Sequence, residues 1–432
     1  MILSLTNLKK TWYYLQKNGI KAAWSAALER IEESRKEPYV FMPVSDAELE
    51  KQKDTDISKL TVSVVVPAYE TKREHLTALL GSLQMQTYPN WELVIADASS
   101  EDAVKAVVEE WKSMYPDSRI VYLKLSQNKG ISENTNAGIL AAKGEYIGLL
   151  DHDDLLTPNA LFEMVSAIEE GKEAGMQPDV LYSDEDKCDG EGTSFYEPHR
   201  KMDFNPDLLL SNNYICHFMV MESTLMKSLL LRKEYDGAQD FDLVLRAAAA
   251  EKCFFHVPKI LYHWRCHNDS TAANPRSKSY AYEAGKRAVE DFCKNRGWKV
   301  TVSHLKHLGF YRVDYEGSFF EMRNDVGAIA GPLPSGKYFN SGIYEKDGSM
   351  RFKNLRRGFS GPMHRAVLQQ DVLSADLRTM YVNEAFRPLH EQTMKRLKVS
   401  KNKDDLIRES QVFCEQVRNA GYRILWDPEF FA

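Results

Sequence analysis

From Thr61 onward the apolar residues switch repeatedly between two periods. Thr61-Val-Ser-Val-Val-Val66 is a β-branched run and predicts a buried strand. Residues 74–86 carry Leu76, Leu79, Leu80 and Leu83 at helical spacing. Trp91-Glu-Leu-Val-Ile-Ala96 predicts a second strand, ending at Asp97, and 101–114 a second helix. Ile120 to Leu125 follows as a strand, 131–142 as a helix, and Tyr146-Ile-Gly-Leu-Leu150 as a fourth strand between Lys143-Gly144 and Thr157-Pro158. Four strand–helix alternations predict an α/β fold, a parallel sheet with helices on both faces.

Beyond this point the pattern is less regular. Val180-Leu-Tyr-Ser183 predicts a short strand ending at Asp184-Glu-Asp186, and Phe218 to Met221 another. Phe241, Val244, Leu245 and Ala248 mark one face of a helix beginning near Asp240, and 277–294 forms a further amphipathic helix. Residues 324–432 contain a partial internal repeat. Phe241-Asp-Leu-Val-Leu-Arg-Ala-Ala248 matches Phe413-Cys-Glu-Gln-Val-Arg-Asn-Ala420 at the Phe, the Arg and the final Ala. A short strand-like run and a proline, Pro258 or Pro428, follow each copy. The basic stretch Lys395 to Lys403 reads as a solvated loop.

At the other end, 1–36 reads as helix. Leu5, Leu8, Trp12 and Leu15 share a face, then Ile20, Trp24, Leu28 and Ile31, with Lys9, Lys10, Lys17 and Lys21 as the charged residues before Glu29. Such a helix either lies on an anionic membrane surface or packs on the body of the protein. Residues 45–58 read as a polar linker. The expected organisation is therefore an N-terminal segment 1–58, a main α/β domain 59–300 and an accessory region 301–432.

Composition narrows the class. A chain of 432 residues needs more than one structural unit. With 43% hydrophobic and 27% charged residues it is ordinary globular material, and a net charge of −6 gives no case for nucleic acid as partner. Six cysteines at irregular spacing form no Cys-x-x-Cys pair, so neither a zinc site nor a disulfide framework is expected, and a reduced, cytoplasmic setting fits. No apolar run reaches spanning length, and Lys9 and Lys10 break any signal-peptide pattern at the start.

The candidate chemistry begins where the fourth strand ends. Asp151-His-Asp-Asp154 places three carboxylates at the carboxyl end of a central strand, where open α/β sheets bind ligands. Crowded acids repel one another unless a cation sits between them, and Mg²⁺ or Mn²⁺ takes oxygen ligands. The plainer alternative is a polar loop in which Asp153 or Asp154 caps the next helix.

In combination these segments resemble family 2 glycosyltransferases of the GT-A fold, in particular bacterial cell-surface polysaccharide and rhamnosyltransferase-like enzymes. Val62-Ser-Val-Val-Val-Pro-Ala-Tyr69 is similar to their first strand and nucleotide loop, Asp97-Ala-Ser-Ser100 to the acid loop, and Asn128-Lys-Gly-Ile-Ser132 through Asn136-Ala-Gly138 to the segment after the third strand. Asp151-His-Asp153 resembles the Asp-x-Asp metal motif, Gly237-Ala-Gln-Asp-Phe-Asp242 the catalytic motif, and Tyr262-His-Trp-Arg265 the segment with a metal-completing His. The resemblance covers about residues 60–300.

It implies a nucleotide-sugar site built from Pro67, Ala68, Tyr69, Glu70, Asp97, Asn128, Gly130, Asn134, Asp151 and His152. It implies Mg²⁺ or Mn²⁺ on Asp151, Asp153 and His263, with Asp153 the primary ligand. Asp240 is the expected general base for the acceptor hydroxyl, with a helix N-cap as its plainer role and Asp242 as the alternative base. The family's Glu is replaced by Gln239. Asp184, Glu185, Asp186 and Gln239 are expected near donor sugar or acceptor, the three acids being alternatively a solvated turn. Asp97 is either the partner of a uracil or thymine N3–H or a turn acid with Ser99.

The implied reaction is inverting transfer from a UDP- or dTDP-sugar to a glycan or lipid-linked oligosaccharide acceptor, on the inner face of the cell membrane. The second copy has Val412 where the first has Asp240, and 324–432 contains no Asp-x-Asp, so it reads as a degenerate GT-A-like half. Three rival readings remain: a sugar-nucleotide pyrophosphorylase, against which stands the glycine-free loop Pro67-Ala-Tyr-Glu-Thr-Lys72; a non-catalytic assembly subunit, which predicts loss of site residues; and a metal-dependent hydrolase.

Overall fold

A computed structural model describes residues 5–35, 37–266, 279–334, 336–399 and 402–431. The side chains of Leu5, Leu8, Lys9 and Lys10, and residues 277–278 of the expected helix, lie outside the described residues. The chain divides into two units, one of 38–204 and 214–288, the other of 1–37, 205–213 and 289–432. Both expected boundaries therefore shift. The N-terminal helix α1 (Leu5–Glu33) belongs with the C-terminal region, and the main unit is interrupted by a short helix, α7 (Pro206–Ser211), that belongs to the other unit.

The main unit opens with α2 (Asp46–Asp54), where a linker was expected. Ser45 caps it, its hydroxyl accepting from the Glu48 amide at 3.3 Å. Ser45-Asp-Ala-Glu48 has the residue spacing of a capping box, a start signal present in the sequence. Gln52, 4% exposed, ties the helix down by donating to Glu163 and accepting from Thr87.

The predicted alternation then appears as β1 (Val62–Ala68), α3 (Arg73–Gln84), β2 (Trp91–Asp97), α4 (Ala103–Met114), β3 (Ile120–Lys124), α5 (Ile131–Ala141) and β4 (Tyr146–Leu149). Next come β5 (Leu155–Leu156), α6 (Ala160–Glu173), β6 (Val180–Cys188), β7 (Phe195–His199), β8 (Met219–Glu222), α8 (Ser223–Leu229), α9 (Gln239–Ala249) and β9 (Phe254–Arg265). The sheet order is β3-β2-β1-β4-β8-β6-β9-β5, with β7 on β6. Strands β1 to β4 pair in parallel, whereas β8 runs antiparallel to both β4 and β6. Val62, Val64 and Val66 face Leu76, Leu79, Leu80 and Ile95 in one core, each fully or nearly fully buried. Full burial of such a side chain contributes about 1.5–3 kcal/mol. Order reverses at β1, which has β2 on one side and β4 on the other, so the crevice outside the carboxyl ends of β1 and β4 is the switch point of this sheet.

The second unit contains α1, whose backbone breaks at Gly19 (φ 78°, ψ 169°). Trp12, Ile20 and Trp24 on α1 are 59%, 79% and 66% exposed rather than packed on the unit. After α10 (Ser279–Asn295) come β10 (Val300–His304), β11 (Tyr311–Tyr315), α11 (Phe319–Met322), β12 (Val326–Ala330), β13 (Tyr338–Phe339), β14 (Leu355–Arg356), β15 (Gln370–Asp371), β16 (Met380–Val382), α12 (Arg387–Val399), α13 (Lys403–Asn419) and β17 (Arg423–Trp426). The basic stretch from Lys395 is the last turn of α12, not a loop, and Lys403 opens α13. The sheet order is β15-β17-β12-β16, with β17 parallel and β16 antiparallel to β12. The triplet β16-β12-β17 thus has the order and directions of β8-β6-β9, and α13 precedes β17 as α9 precedes β9.

A buried ion network ties α7 into this unit. Arg323, 0% exposed, donates to both Asp207 oxygens at 2.7 and 2.8 Å, and Arg423 donates to Asp207 at 2.9 Å and to Asp371 at 3.1 Å. Burial opposes ionisation of Asp207, but the two guanidiniums hold its carboxyl well below the usual carboxylate range. Removing one partner of such a group leaves an uncompensated buried charge. Asp207→Ala is expected to lower stability by about 3 kcal/mol in urea unfolding; a change under about 0.5 kcal/mol, the range of ordinary surface substitutions, would remove the network as a stability element.

Candidate active site

Three strand ends meet at the switch point. Ala68 pairs with Asp97 across β1 and β2, the Ala98 amide donates to the Ala68 carbonyl at 2.9 Å, and the Leu150 amide donates to the Val65 carbonyl at 3.1 Å. Pro67 and Ala68 complete β1, and Tyr69, 50% exposed, leads out of it. Glu70 adopts a left-handed backbone (φ 48°) and is held there from both ends. Its amide donates to Ser99 Oγ at 2.8 Å, and its Oε1 accepts from the Ser100 amide and hydroxyl at 2.9 and 2.8 Å. Those two bonds keep the Glu70 carboxyl below its ordinary value.

Asp97 is fully buried. Burial alone would push its carboxyl up, but bonds from Ser99, Tyr122 (2.6 Å) and Lys124 (3.2 Å) outweigh it and hold the group ionised. The turn with Ser99 is therefore present.

The loop after β3 is closed on itself. Asn128 Oδ1 accepts from the Gly130 amide at 3.0 Å and from Asn134 Nδ2 at 2.8 Å, and Asn134 Oδ1 accepts from the Lys129 amide at 3.2 Å. Gly130 has φ 101°, and a Cβ there would lie 2.6 Å from Asp236 Oδ2. Asp236 in turn accepts from the Ser132 hydroxyl at 2.5 Å. This loop thereby fastens the segment that leads into α9 and Asp240.

Between these two walls lie the acids. Asp154 is 1% exposed and structural: it accepts from the Arg265 amide at 2.7 Å and from the Tyr262 hydroxyl, and burial followed by Asp153 and Asp151 pushes its carboxyl well up. Asp151 has a side chain 53% exposed, open to the crevice. Desolvation is the largest push on its carboxyl, which is raised, and Asp153 and Asp240 reinforce it. His217 opposes this rise, and its pull is larger than the push from either neighbouring acid. His152 sits between Asp151 and Asp153 with its Nδ1 buried and without a hydrogen-bond partner.

One neighbour of Asp151 was missed in the sequence. His217 Nε2 lies 3.8 Å from Asp151 and its Nδ1 3.4 Å from Glu185, while its ring stacks on Tyr262 at 5.0 Å. Burial opposes protonation of His217, but Glu185, then Asp151 and Asp154, raise it to about 10. The crevice therefore has a fixed positive charge beside its acids. A single His in Tyr214-Ile-Cys-His-Phe218 carries no sequence signal for this role.

Strand parity corrects two expectations. Asp184-Glu-Asp186 lies inside β6 rather than in a turn after it, and all three acids are buried. Asp184 pairs with His256 at 2.8 Å and with the Lys201 amide at 2.8 Å, and Asp186 accepts from Tyr39 at 2.8 Å and pairs with His263 Nδ1. Only Glu185 faces the Asp151 side. Burial opposes its ionisation, but Lys201 and His217 hold its carboxyl well down. On β9 the same alternation turns Tyr262 toward Asp154 and His217, and His263 to the opposite face, between Phe41 and Phe195. His263 is thus not brought to Asp151 and Asp153.

Asp240 occupies the first turn of α9, and its charge is felt at Asp151. Asp242, 1% exposed, accepts from Arg232 at 3.0 Å and Arg246 at 2.9 Å, which withdraws it as the alternative base. Gln239 Oε1 accepts from the Gly237 amide at 2.7 Å, shaping the turn into the helix.

Among the described residues no three His, Cys, Asp or Glu side chains converge closely enough to hold a metal. The donor set fits the other mode of a hard cation: one or two carboxylates, here Asp151 and Asp153, with waters and substrate phosphates completing the shell.

Residues 63–232 match the sequence model described as Glycosyl transferase family 2. That segment belongs to this family. The family 2 segment and its surroundings are similar to the uncharacterized protein y4gI of Sinorhizobium fredii, 39% identical over 234 residues, 53% of this chain and 25% of that protein. They are also similar to the O-antigen biosynthesis protein RfbC of Myxococcus xanthus, 33% identical over 256 residues, 59% of this chain and 20% of that protein. Chondroitin synthase of Escherichia coli is 25% identical over 256 residues, 59% of this chain and 34% of the synthase. The chain thus spans a quarter or less of the first two relatives' length.

Proposed function

We propose that the chain is an inverting glycosyltransferase that moves a sugar from a UDP- or dTDP-sugar to a hydroxyl of a glycan or lipid-linked acceptor in cell-surface polysaccharide synthesis. What supports this reading is the family 2 match over residues 63–232, together with Asp151 and Asp153 just after β4 at the switch point and Asp240 in the first turn of α9. In this reading Pro67 to Glu70, Asp97 and the Asn128–Asn134 loop hold the nucleotide. Asp151 and Asp153 hold Mg²⁺ or Mn²⁺, which when bound offsets the charge that develops on the diphosphate leaving group. Asp240 takes the proton of the acceptor hydroxyl, and a single displacement opposite the leaving group inverts the anomeric carbon. His217 fixes the Asp151 carboxylate from the side. The second unit, with its matching strand triplet and Val412 at the position of Asp240, is a degenerate GT-A-like half without chemistry of its own.

A panel of UDP- and dTDP-sugars, scored for transfer and for free-sugar release, tests the reading. Sugar transfer with inversion supports it. Release without transfer on every acceptor tried would make the protein a hydrolase, and inertness toward every donor would make it an assembly subunit.

The exposed row of Trp12, Ile20 and Trp24, with Lys17 and Lys21 on the same helix, supports peripheral attachment to an anionic membrane face. Each basic residue near such a surface contributes about 1 kcal/mol, enough for salt-sensitive binding only. Co-sedimentation with anionic vesicles is expected to fall with salt and with Trp12→Ser/Trp24→Ser. Binding unchanged by both would detach α1 from the membrane.

A further inference from the structure

We propose, resting on the function just proposed, that Asp236 is a positioning residue: it couples the nucleotide loop to α9, so that occupancy of the loop sets Asp240 in place. Helix α5 begins after Gly130, which has no side chain to cap it. Asp236 supplies the cap from a distant part of the chain. Its Oδ1 accepts from the Ser132 amide at 3.3 Å and from the Ser132 hydroxyl at 2.5 Å. The unpaired amides of a first turn and the helix dipole both favour a carboxylate there. The approach needs glycine at position 130, where a Cβ would lie 2.6 Å from Asp236 Oδ2. One side chain thus joins the start of α5, beside Asn128 and Asn134, to a point four residues before Asp240.

The connection from Asp236 to α9 is short and stiff. The Asp236 amide donates to the Lys233 carbonyl at 3.0 Å, the Ala238 amide to the Tyr235 carbonyl at 2.8 Å, and the Gly237 amide to Gln239 Oε1 at 2.7 Å. From within α9, Arg246 donates to the Leu229 and Leu230 carbonyls at 2.6 and 2.5 Å. A shift of the Asp236 carboxylate is therefore passed on to α9 rather than absorbed in the turn. A separate clasp carries the fold. Buried Asn136 exchanges two bonds with the Leu231 backbone, Nδ2 to its carbonyl and Oδ1 from its amide, both at 2.8 Å. Asn136 holds this segment on α5 whatever the loop contains, whereas Asp236 bonds the residues that open the helix at the loop itself. Its loss should spare the fold and loosen the base.

The first readout needs no turnover. UDP or dTDP with Mn²⁺ is the probe, and hydrogen exchange over 237–242 is followed in the full chain. Nucleotide is expected to slow exchange there in the wild type. Asp236→Ala and Ser132→Ala are expected to bind it within about threefold of wild type and to lose that slowing. Ser132→Ala removes only one hydroxyl, so a folding failure of the other variant does not end the test. Slowing that persists in both variants, or is absent from the wild type with nucleotide bound, would overturn the coupling. Failure of both nucleotides to bind would remove the nucleotide site, and the coupling with it.

The second readout is transfer from the donor that the panel identifies. Each variant is expected to lower kcat about tenfold or more with donor KM within about threefold, since misplacing a reacting group by about 1 Å costs up to about 10²-fold. Adding Asp236→Ala to Asp240→Asn is expected to cost nothing further, because residues that act as a unit are not additive. Equal damage to kcat and KM, or a further full loss on top of Asp240→Asn, marks a general structural role and would end the proposal. Wild-type turnover in Asp240→Asn alone would instead remove the base, and this role with it, before any Asp236 variant is compared.

Discussion

Asp240→Asn is expected to leave donor binding within about twofold of wild type and to reduce transfer by roughly 10²–10⁴-fold, the usual contribution of a general base. Asparagine keeps the shape and the place in the first turn of α9 but has no basic oxygen. The charge of Asp240 also acts on Asp151, where it helps to raise the carboxyl. Removing it should let Asp151 ionise more readily, so donor and metal affinity should hold or improve while turnover collapses. Single-turnover transfer beside nucleotide titration separates the two quantities. Turnover within a few-fold of wild type would exclude Asp240 as the base.

Asp153→Ala is expected to remove the metal dependence of nucleoside-diphosphate binding together with activity. In the proposed reading Asp151 and Asp153 hold the cation, His263 being turned to the far face of β9, so losing one leaves a single carboxylate. The change keeps the Asp153 carbonyl, which accepts from Arg265 Nε at 2.6 Å. Titrating UDP with and without Mn²⁺ decides the point: an undiminished Mn²⁺ effect in the variant places the metal elsewhere. His263→Ala is the informative comparison. It should act mainly through the Asp186 partnership and the Phe41 and Phe195 packing, lowering the melting temperature more than the metal effect.

The first four strands were legible because each is a β-branched or aliphatic run bounded by turn residues, and local sequence suffices for that. The acids of β6 were not. For Asp184-Glu-Asp186 the pattern left a solvated turn and a place beside donor sugar or acceptor equally open, because charged residues seldom sit in a central strand, and what admits them there is supplied from far along the chain by Tyr39, Lys201, His217, His256 and His263. Such compensation is visible only once register is known. The same holds for His263, whose neighbours Tyr262 and Trp264 point to the other face: a shift of one residue exchanges the two sets. Asp240 and Asp151, by contrast, each stand at the end of an element the pattern already predicted. The helix α2 was overlooked despite its Ser45 and Glu48, because its mean composition is polar and its one buried residue is Gln52.

The excursion of the chain through α7 bears on modularity. Residues 205–213 leave the main unit, lend Asp207 to Arg323 and Arg423, and return only four residues before His217. A gene cut after residue 288 would preserve every candidate catalytic side chain and still release a product with an acid that has lost both guanidiniums, on the strand-to-helix detour that delivers His217. The two halves therefore cannot be separated by one cut, and recombination that exchanged the second half would be viable only if the incoming sequence kept arginines at both positions.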